Sequence, residues 1–164
     1  MKSLISILFF AAILVPLPVF AINAGDAAPG FSLKDVSGST VTLDSLQGKV
    51  VFLTFWTTWC PSCKEELAGM NTLQKNYADK AFTVVSICIE SSTAIVDNFL
   101  KKHPVTFPVL VDTRGAVANT FRFSGVPASF LIGKDGIIRH KYLGYEQEAL
   151  PRIEQEIIDL LNKQ

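Results

Sequence analysis

Apolar runs and polar breaks alternate along the chain from residue 31 onward, and their periods predict strands and helices in turn. Phe31-Ser32-Leu33 and Thr40-Val41-Thr42-Leu43 alternate on either side of Asp35-Val36-Ser37-Gly38, the pattern of a β-hairpin. Asp44 to Gly48 reads as a short helical turn closed by glycine. Val50 to Trp56 is apolar on both faces, as a buried parallel strand is. Beyond Cys60, Leu67, Met70, Leu73, Gln74 and Tyr77 recur at a three–four spacing that predicts a helix to about Tyr77. Phe82 to Ile89 reads as a second buried strand. Ser91 or Ser92 is placed to cap a helix whose apolar stripe is Ile95, Val96, Phe99 and Leu100, and Pro104 stops it. Phe107 to Val111 reads as a strand and Arg114 to Phe121 as a short helix. Ser129–Ile132 and Ile137–Leu143 form a strand pair about Gly133-Lys134-Asp135-Gly136. The last helix is expected from about Gln147 to Asn162, with Ile153, Ile157, Leu160 and Leu161 inward and Pro151 tolerated in its first turn. A strand–helix–strand unit followed by a hairpin and a helix gives an α/β domain. Its central mixed sheet carries helices on both faces and a β-hairpin at its N-terminal end.

The start of the chain follows a different rule. Behind Met1-Lys2-Ser3, residues 4–22 carry no charge. This is the plan of a secretory signal, with Pro16 and Pro18 breaking the apolar run and Val19-Phe20-Ala21 offering a cleavage site. Residues 1–21 are therefore expected to be a signal peptide. The alternative is an uncleaved anchor in which residues 4–22 tether the protein to a membrane, since roughly 20 apolar residues span a bilayer. No cysteine follows the run, which speaks against a lipid anchor. Either way the rest faces a periplasmic or other extracytoplasmic space. Residues 22–30 read as a small-residue linker and 31–164 as one domain. The sequence has 15 Lys and Arg against 15 Asp and Glu, a net charge of zero, so nothing in it points to a nucleic-acid partner.

Export changes the meaning of the three cysteines, Cys60, Cys63 and Cys88. In an oxidising compartment a nearby pair is expected as a disulfide unless something reduces it. Cys60-Pro61-Ser62-Cys63 sits where a strand gives way to a helix. The first sulfur is then at the helix N-terminus, where unpaired N–H groups and the dipole favour a thiolate. Pro61 suits the first helical position. A zinc site would need Cys60, Cys63, His103 and His140 to converge, which the redox reading does not require. A short-range disulfide constrains the unfolded chain little, so a purely structural role explains less than a redox one. Cys88, within an apolar strand, reads as a buried inert thiol. His103 and His140 read as surface residues.

The motif Phe55-Trp56-x-x-Trp59-Cys60-x-x-Cys63, joined to Gly125-Val126-Pro127-Ala128-Ser129-Phe130-Leu131-Ile132 downstream, resembles the thioredoxin superfamily. The leader, the Gly25-Asp26-x-x-Pro29-x-Phe31-x-Leu33 opening and the segment between Ile89 and Phe107 resemble more specifically the exported TlpA/ResA group. The resemblance implies a thioredoxin fold with an inserted helix-containing segment, and a cis Pro127 packed on the disulfide. It also implies that the Val126 backbone pairs with the substrate chain like an added strand. Trp59, Pro61, Val126 and Pro127 would then make up the substrate face, with Trp59 shielding Cys60 and both Trp56 and Trp59 part structure, part platform. Neither a cofactor nor a metal is implied.

The expected chemistry is thiol–disulfide exchange. Cys60, exposed at the helix tip, attacks a substrate disulfide, and Cys63, buried one turn in, resolves the mixed disulfide. Many thioredoxins place a buried Asp six residues before the first cysteine; here that position is Thr54, which cannot titrate. Glu66, three residues past Cys63 on the same helix face, matches the glutamate of ResA-like members and is expected to accept the Cys63 proton or tune its pKa. Glu90, at the end of a strand, is a candidate neighbour of the site.

Together these features predict an exported reductase of specific protein disulfides, for example in cytochrome c maturation or metal-site assembly. The resemblance implies a membrane electron donor of the DsbD/CcdA type. Three rivals stand beside it. A DsbA-like oxidant or isomerase would carry a larger helical insertion. A copper metallochaperone would want a His or Met better placed than Met70. A peroxidase would show a Pro-x-x-x-Thr-x-x-Cys pattern.

Overall fold

The computed structural model describes residues 22–163. The signal peptide expected over residues 1–21 lies outside them, as does all of the expected tether but Ile22. Among the described residues, no helix is long and apolar enough to cross a membrane.

Strand β3 (Val50–Trp56) is buried at every position and forms the middle of a five-stranded sheet. It runs parallel to β4 (Phe82–Cys88), which runs parallel to β5 (Val109–Val111). On its other side lies β6 (Ala128–Ile132), antiparallel, followed by β7 (Ile138–Leu143) at the edge. The hairpin of β1 (Ser32–Lys34) and β2 (Thr40–Thr42) forms a separate two-stranded ribbon, joined to β5 by a bridge between Asp35 and Leu110. Four helices complete the fold: α1 (Pro61–Asn76), α2 (Thr93–Leu100), α3 (Ala116–Phe121) and α4 (Leu150–Asn162).

Alternate residues of β3 feed two cores. Val50, Phe52 and Trp56 meet Leu67, Met70 and Leu73 of α1, Val96 and Phe99 of α2, and Ile153, Ile157 and Leu160 of α4. Val51, Leu53 and Phe55 face the other way, toward α3 and the hairpin. There Phe55 packs against Phe121, Phe123 and Phe130 at centroid distances of 4.9, 4.8 and 6.1 Å. Each large apolar side chain so buried contributes about 1.5–3 kcal/mol, which makes the sheet a rigid platform for whatever stands at its end.

Several boundaries differ from expectation for local reasons. β5 begins at Val109 rather than Phe107, because Pro108 has no N–H to give to a ladder. The outer N–H of Val84, beyond the reach of β5, is taken by the side-chain oxygen of Gln74 at 2.7 Å. This explains a polar residue in the inward stripe of α1. α3 starts at Ala116 once the Asp112 carboxylate has accepted the N–H groups of Ala116 and Ala118 at 3.0 and 2.9 Å. The last helix is preceded by a three-ten turn over Gln147–Ala149, since Pro151 cannot donate the bond that would extend the α-helix backward. Residues 22–30, read as a linker, are partly zipped to the β6–β7 hairpin: Gly25 N–H donates to Ile138 O and Ala28 N–H to Gly136 O, at 2.8 and 3.0 Å.

α2 also departs from the expected stripe. Val96 is fully buried and Phe99 packs against Trp56, ring centroids 4.9 Å apart and planes tilted by 48°, whereas Ile95 is 41% exposed. Phe99→Ala should therefore cost about 3–5 kcal/mol in urea unfolding, while Ile95→Ala should stay within about 0.5 kcal/mol. Equal costs at the two positions would contradict this packing of α2.

Candidate active site

The site forms where β3 runs out. The chain leaves Trp56, turns through Thr57 and Thr58, and enters α1 at Pro61. Cys60 is the N-cap, with extended backbone (φ −85°, ψ 114°), and its sulfur accepts the Cys63 N–H at 3.2 Å. An acceptor at this place meets the positive end of the helix and one of its unpaired donors. Cys60 and Cys63 are joined as a disulfide with Cα atoms 5.3 Å apart. The turn is held from outside by Glu90, whose carboxylate accepts from the Thr58 N–H at 3.1 Å and the Thr58 hydroxyl at 2.6 Å. Glu90 thus braces the loop that presents Cys60.

Pro127 forms the facing wall. Its bond to Val126 is cis, its carbonyl accepts the Gly144 N–H at 2.8 Å, and the Val126 carbonyl oxygen lies 3.8 Å from the Cys60 sulfur. Ser62 Oγ is 3.6 Å from that sulfur on the other side. This crowding corrects one expectation. Cys60 is only 4% exposed, against 0% for Cys63, so it is the outer sulfur but not an open one. Pro61 sits exposed at the first position of α1. Trp56 is wholly buried in the core, and Trp59, the residue before Cys60, stands 72% exposed.

Below Cys63, one turn along α1, Glu66 is 1% exposed. Its carboxylate accepts the Thr54 hydroxyl at 2.5 Å and the Ser129 hydroxyl at 2.7 Å, and those two hydroxyls are 2.9 Å apart. Thr54 and Ser129 are direct partners in the β3–β6 register, and Ser86 is the partner of Thr54 in β4. Burial pushes the Glu66 carboxyl from its ordinary 4.5 up to about 7, against the opposing pull of the Thr54 and Ser129 hydrogen bonds. Glu66 also lines a pocket of about 550 Å³ between α1, β7 and α4, with Ser62, Tyr142, Tyr145 and Arg152 among its other walls. The placement of Thr54 makes it a partner of Glu66 rather than an empty substitute for an acid. Ser129 was not anticipated. The available signal was a hydroxyl inside each of the otherwise apolar strands β3 and β6, which burial requires to find a partner.

The other candidates lie elsewhere. Cys88 is a free, fully buried thiol whose pKa is raised by burial and by the charge of Glu90. His103 packs on Phe99 with ring centroids 4.6 Å apart, and His140 lies 3.5 Å from Glu156. Met70 is fully buried in the core.

The sequence pattern of the AhpC/TSA family matches residues 24–141. The chain belongs to this family. Within it the chain is similar to the thiol-disulfide oxidoreductase ResA of Bacillus subtilis, 35% identical over 130 residues that cover 79% of this chain and 73% of that protein. The ResA of Oceanobacillus iheyensis is 35% identical over 167 residues, covering 93% and 86%. Among solved structures, a Chlorobium tepidum protein assigned as thiol:disulfide interchange protein DsbE superposes with a TM-score of 0.83 at 32% identity, covering 87% of this chain and 100% of its own. The fold is therefore thioredoxin-like, and the resemblance to the ResA group holds across the folded part.

The buried carboxyl has a thermodynamic signature. With a folded pKa raised above the unfolded one, the unfolded chain ionises first as pH rises. Stability is thus intact below about pH 4.5, falls through the window up to about 7, and stays lowered above it. Glu66→Gln removes this dependence. Denaturation of the disulfide form at pH 4.5 and pH 8 should show the native protein losing about 3 kcal/mol relative to Glu66→Gln. A constant difference would mean that the carboxyl is not buried as described.

Proposed function

We propose that this thiol–disulfide oxidoreductase works outside the cytoplasm as a reductase of particular protein disulfides. The observation that carries the reading is the Cys60 sulfur at the N-terminus of α1, accepting the Cys63 N–H while facing the Val126 carbonyl. In the dithiol form such a sulfur is held as a thiolate and attacks a substrate sulfur. The substrate disulfide breaks, one substrate thiolate leaves, and a Cys60–substrate disulfide forms. Cys63 then gives up its proton, with Glu66 as acceptor, and attacks Cys60. The second substrate sulfur leaves with the electron pair, so two electrons have passed from the dithiol to the substrate.

Trp59, Pro61, Val126 and Pro127 form the substrate face in this reading. The exposed indole of Trp59 offers apolar area, and the backbone beside Pro127 offers main-chain hydrogen bonds that accept many sequences. The apolar leader of residues 4–22 supports export or tethering on the extracytoplasmic side. There the dithiol has to be regenerated, which calls for a membrane donor of the DsbD/CcdA type. Its targets in this reading are proteins awaiting cofactor insertion, such as apocytochrome c or a metal-site assembly factor, as the resemblance to the TlpA/ResA group implies.

Two measurements test this. The Cys60–Cys63 couple should titrate near the thioredoxin end of the scale, about −270 mV; a value near the −120 mV or so of a strong oxidant would reverse the direction assigned. Cys63→Ala, expressed with the full leader, should accumulate a mixed disulfide between Cys60 and an exported protein. Failure to trap any partner through Cys60 would remove the protein-substrate reading.

A further inference from the structure

We propose that Thr54 and Ser129 are positioning residues that close a hydrogen-bond ring on the Glu66 carboxyl, letting it take a proton at one oxygen and release it at the other without moving a heavy atom. The inference rests on the reading of Glu66 as acceptor of the Cys63 proton and adds to it two residues and a mechanism.

Three oxygen–oxygen contacts make a closed triangle: Thr54 Oγ1 to Glu66 Oε2 at 2.5 Å, Ser129 Oγ to Glu66 Oε1 at 2.7 Å, and Ser129 Oγ to Thr54 Oγ1 at 2.9 Å. Each hydroxyl owns one hydrogen. With Glu66 ionised there are two hydrogens for three contacts. Both go to the carboxylate, and the hydroxyl–hydroxyl contact has none. A proton on Glu66 supplies the third. If it sits on Oε1 it donates to Ser129, Ser129 donates to Thr54, and Thr54 donates to Oε2. If it sits on Oε2 the same ring runs the other way. A concerted shift of three hydrogens converts one arrangement into the other, so the proton crosses the carboxyl by hydroxyl relay alone.

Both charge states are thus satisfied by one set of heavy-atom positions. A fully buried carboxyl needs this, because its surroundings are packed and a partner lost in either state would be left without water. The strands give a second sign. β3 and β6 are otherwise apolar, and valine at 54 or alanine at 129 would suit their burial better than a hydroxyl does. The titratable and charged groups on this side are Cys63, one turn back on α1, and, across the pocket that Glu66 lines, Tyr142 on β7, Tyr145 and Glu146 beyond it, and Arg152 on α4; Lys141 turns the other way, over Phe130, with its Nζ on the Ile22 carbonyl. β4 contributes only the neutral Ser86 to this row. Of these groups Tyr145 feels the Glu66 charge, while Glu66 itself is shifted by burial and by its two ring partners.

The test separates the two thiol steps in one trace. Reduced protein mixed with dithiobis(nitrobenzoate) releases a first thiolate when Cys60 attacks and a second when Cys63 resolves. Thr54→Val and Ser129→Ala should each lower the ratio of second to first rate on the order of tenfold at pH 7, the scale of one hydrogen bond to a charged group. Opening a ring at two points opens it no further, so the double variant should resemble the slower single one. Thr54→Ser and Ser129→Thr should recover the ratio. Additive losses, or both steps slowing together, would overturn the ring. If Glu66→Gln slows the second step while the hydroxyl variants do not, the ring alone fails. If Glu66→Gln leaves the second step unchanged from pH 5 to pH 8, the acceptor reading fails and the ring with it. The unaltered protein gives an arm that no folding defect can spoil: NMR signals of the Thr54 and Ser129 hydroxyl protons should move together with the Glu66 carboxyl carbon on titration. Hydroxyl signals indifferent to that titration would overturn the proposal.

Discussion

The register between β3 and β6 is the constraint on which the reactive end depends, because it fixes both walls around the disulfide at once. Thr54 lies opposite Ser129 in that pairing, and Ser129 is two residues beyond Pro127. A slip of one residue would turn Ser129 to the far face and offer Glu66 an alanine or a phenylalanine in its place. The same slip would carry Pro127 and the Val126 carbonyl away from the Cys60 sulfur. Apolar burial on both faces of β3 and β6 holds the register, so the two cores formed by alternate residues of one strand are what aim the chemistry.

Along α1 the site divides by depth. Cys60 meets the helix N-terminus, where backbone donors stabilise negative charge. Glu66, one turn below Cys63, is held where burial disfavours negative charge. A thiolate is encouraged at the tip and a proton is retained beneath it, and Cys63 stands between the two with no exposure of its own. In the proposed mechanism this gradient lets the outer sulfur act as nucleophile while the inner one keeps its proton until a mixed disulfide has formed. The cost is a buried carboxyl that weakens the fold at neutral pH, a trade found where function overrides stability.

Much of this was legible in the residues. The apolar runs, periodic or continuous, and the polar breaks between them placed the strands and helices, and the two segments around Cys60 and Pro127 carried the family. What sequence patterns left out were facts about neighbours distant along the chain. Ile95 and Phe99 belong to one apolar stripe, yet only packing against Trp56 decides which of them is core. Gln74 and Asp112 are polar residues whose side chains finish a strand edge and a helix start, roles set by where β5 and α3 begin. The degree to which Val126 crowds Cys60 depends on a loop more than sixty residues away.

Thr54 shows the same limit most sharply. Read along the chain, it marks a missing acid, a place where a titrating residue has been replaced by one that cannot titrate. Read across the sheet, it is half of a pair of hydroxyls under a carboxyl supplied by the helix above. An aspartate in β3 would have brought its charge on a strand buried on both faces, next to the hydroxyls of Ser86 and Ser129. Glu66 instead reaches that row from α1, beside a pocket between α1, β7 and α4. Moving the acid from strand to helix therefore changes more than its position: it couples the titrating group to the helix that also carries both cysteines, so that whatever shifts α1 shifts the sulfurs and Glu66 together.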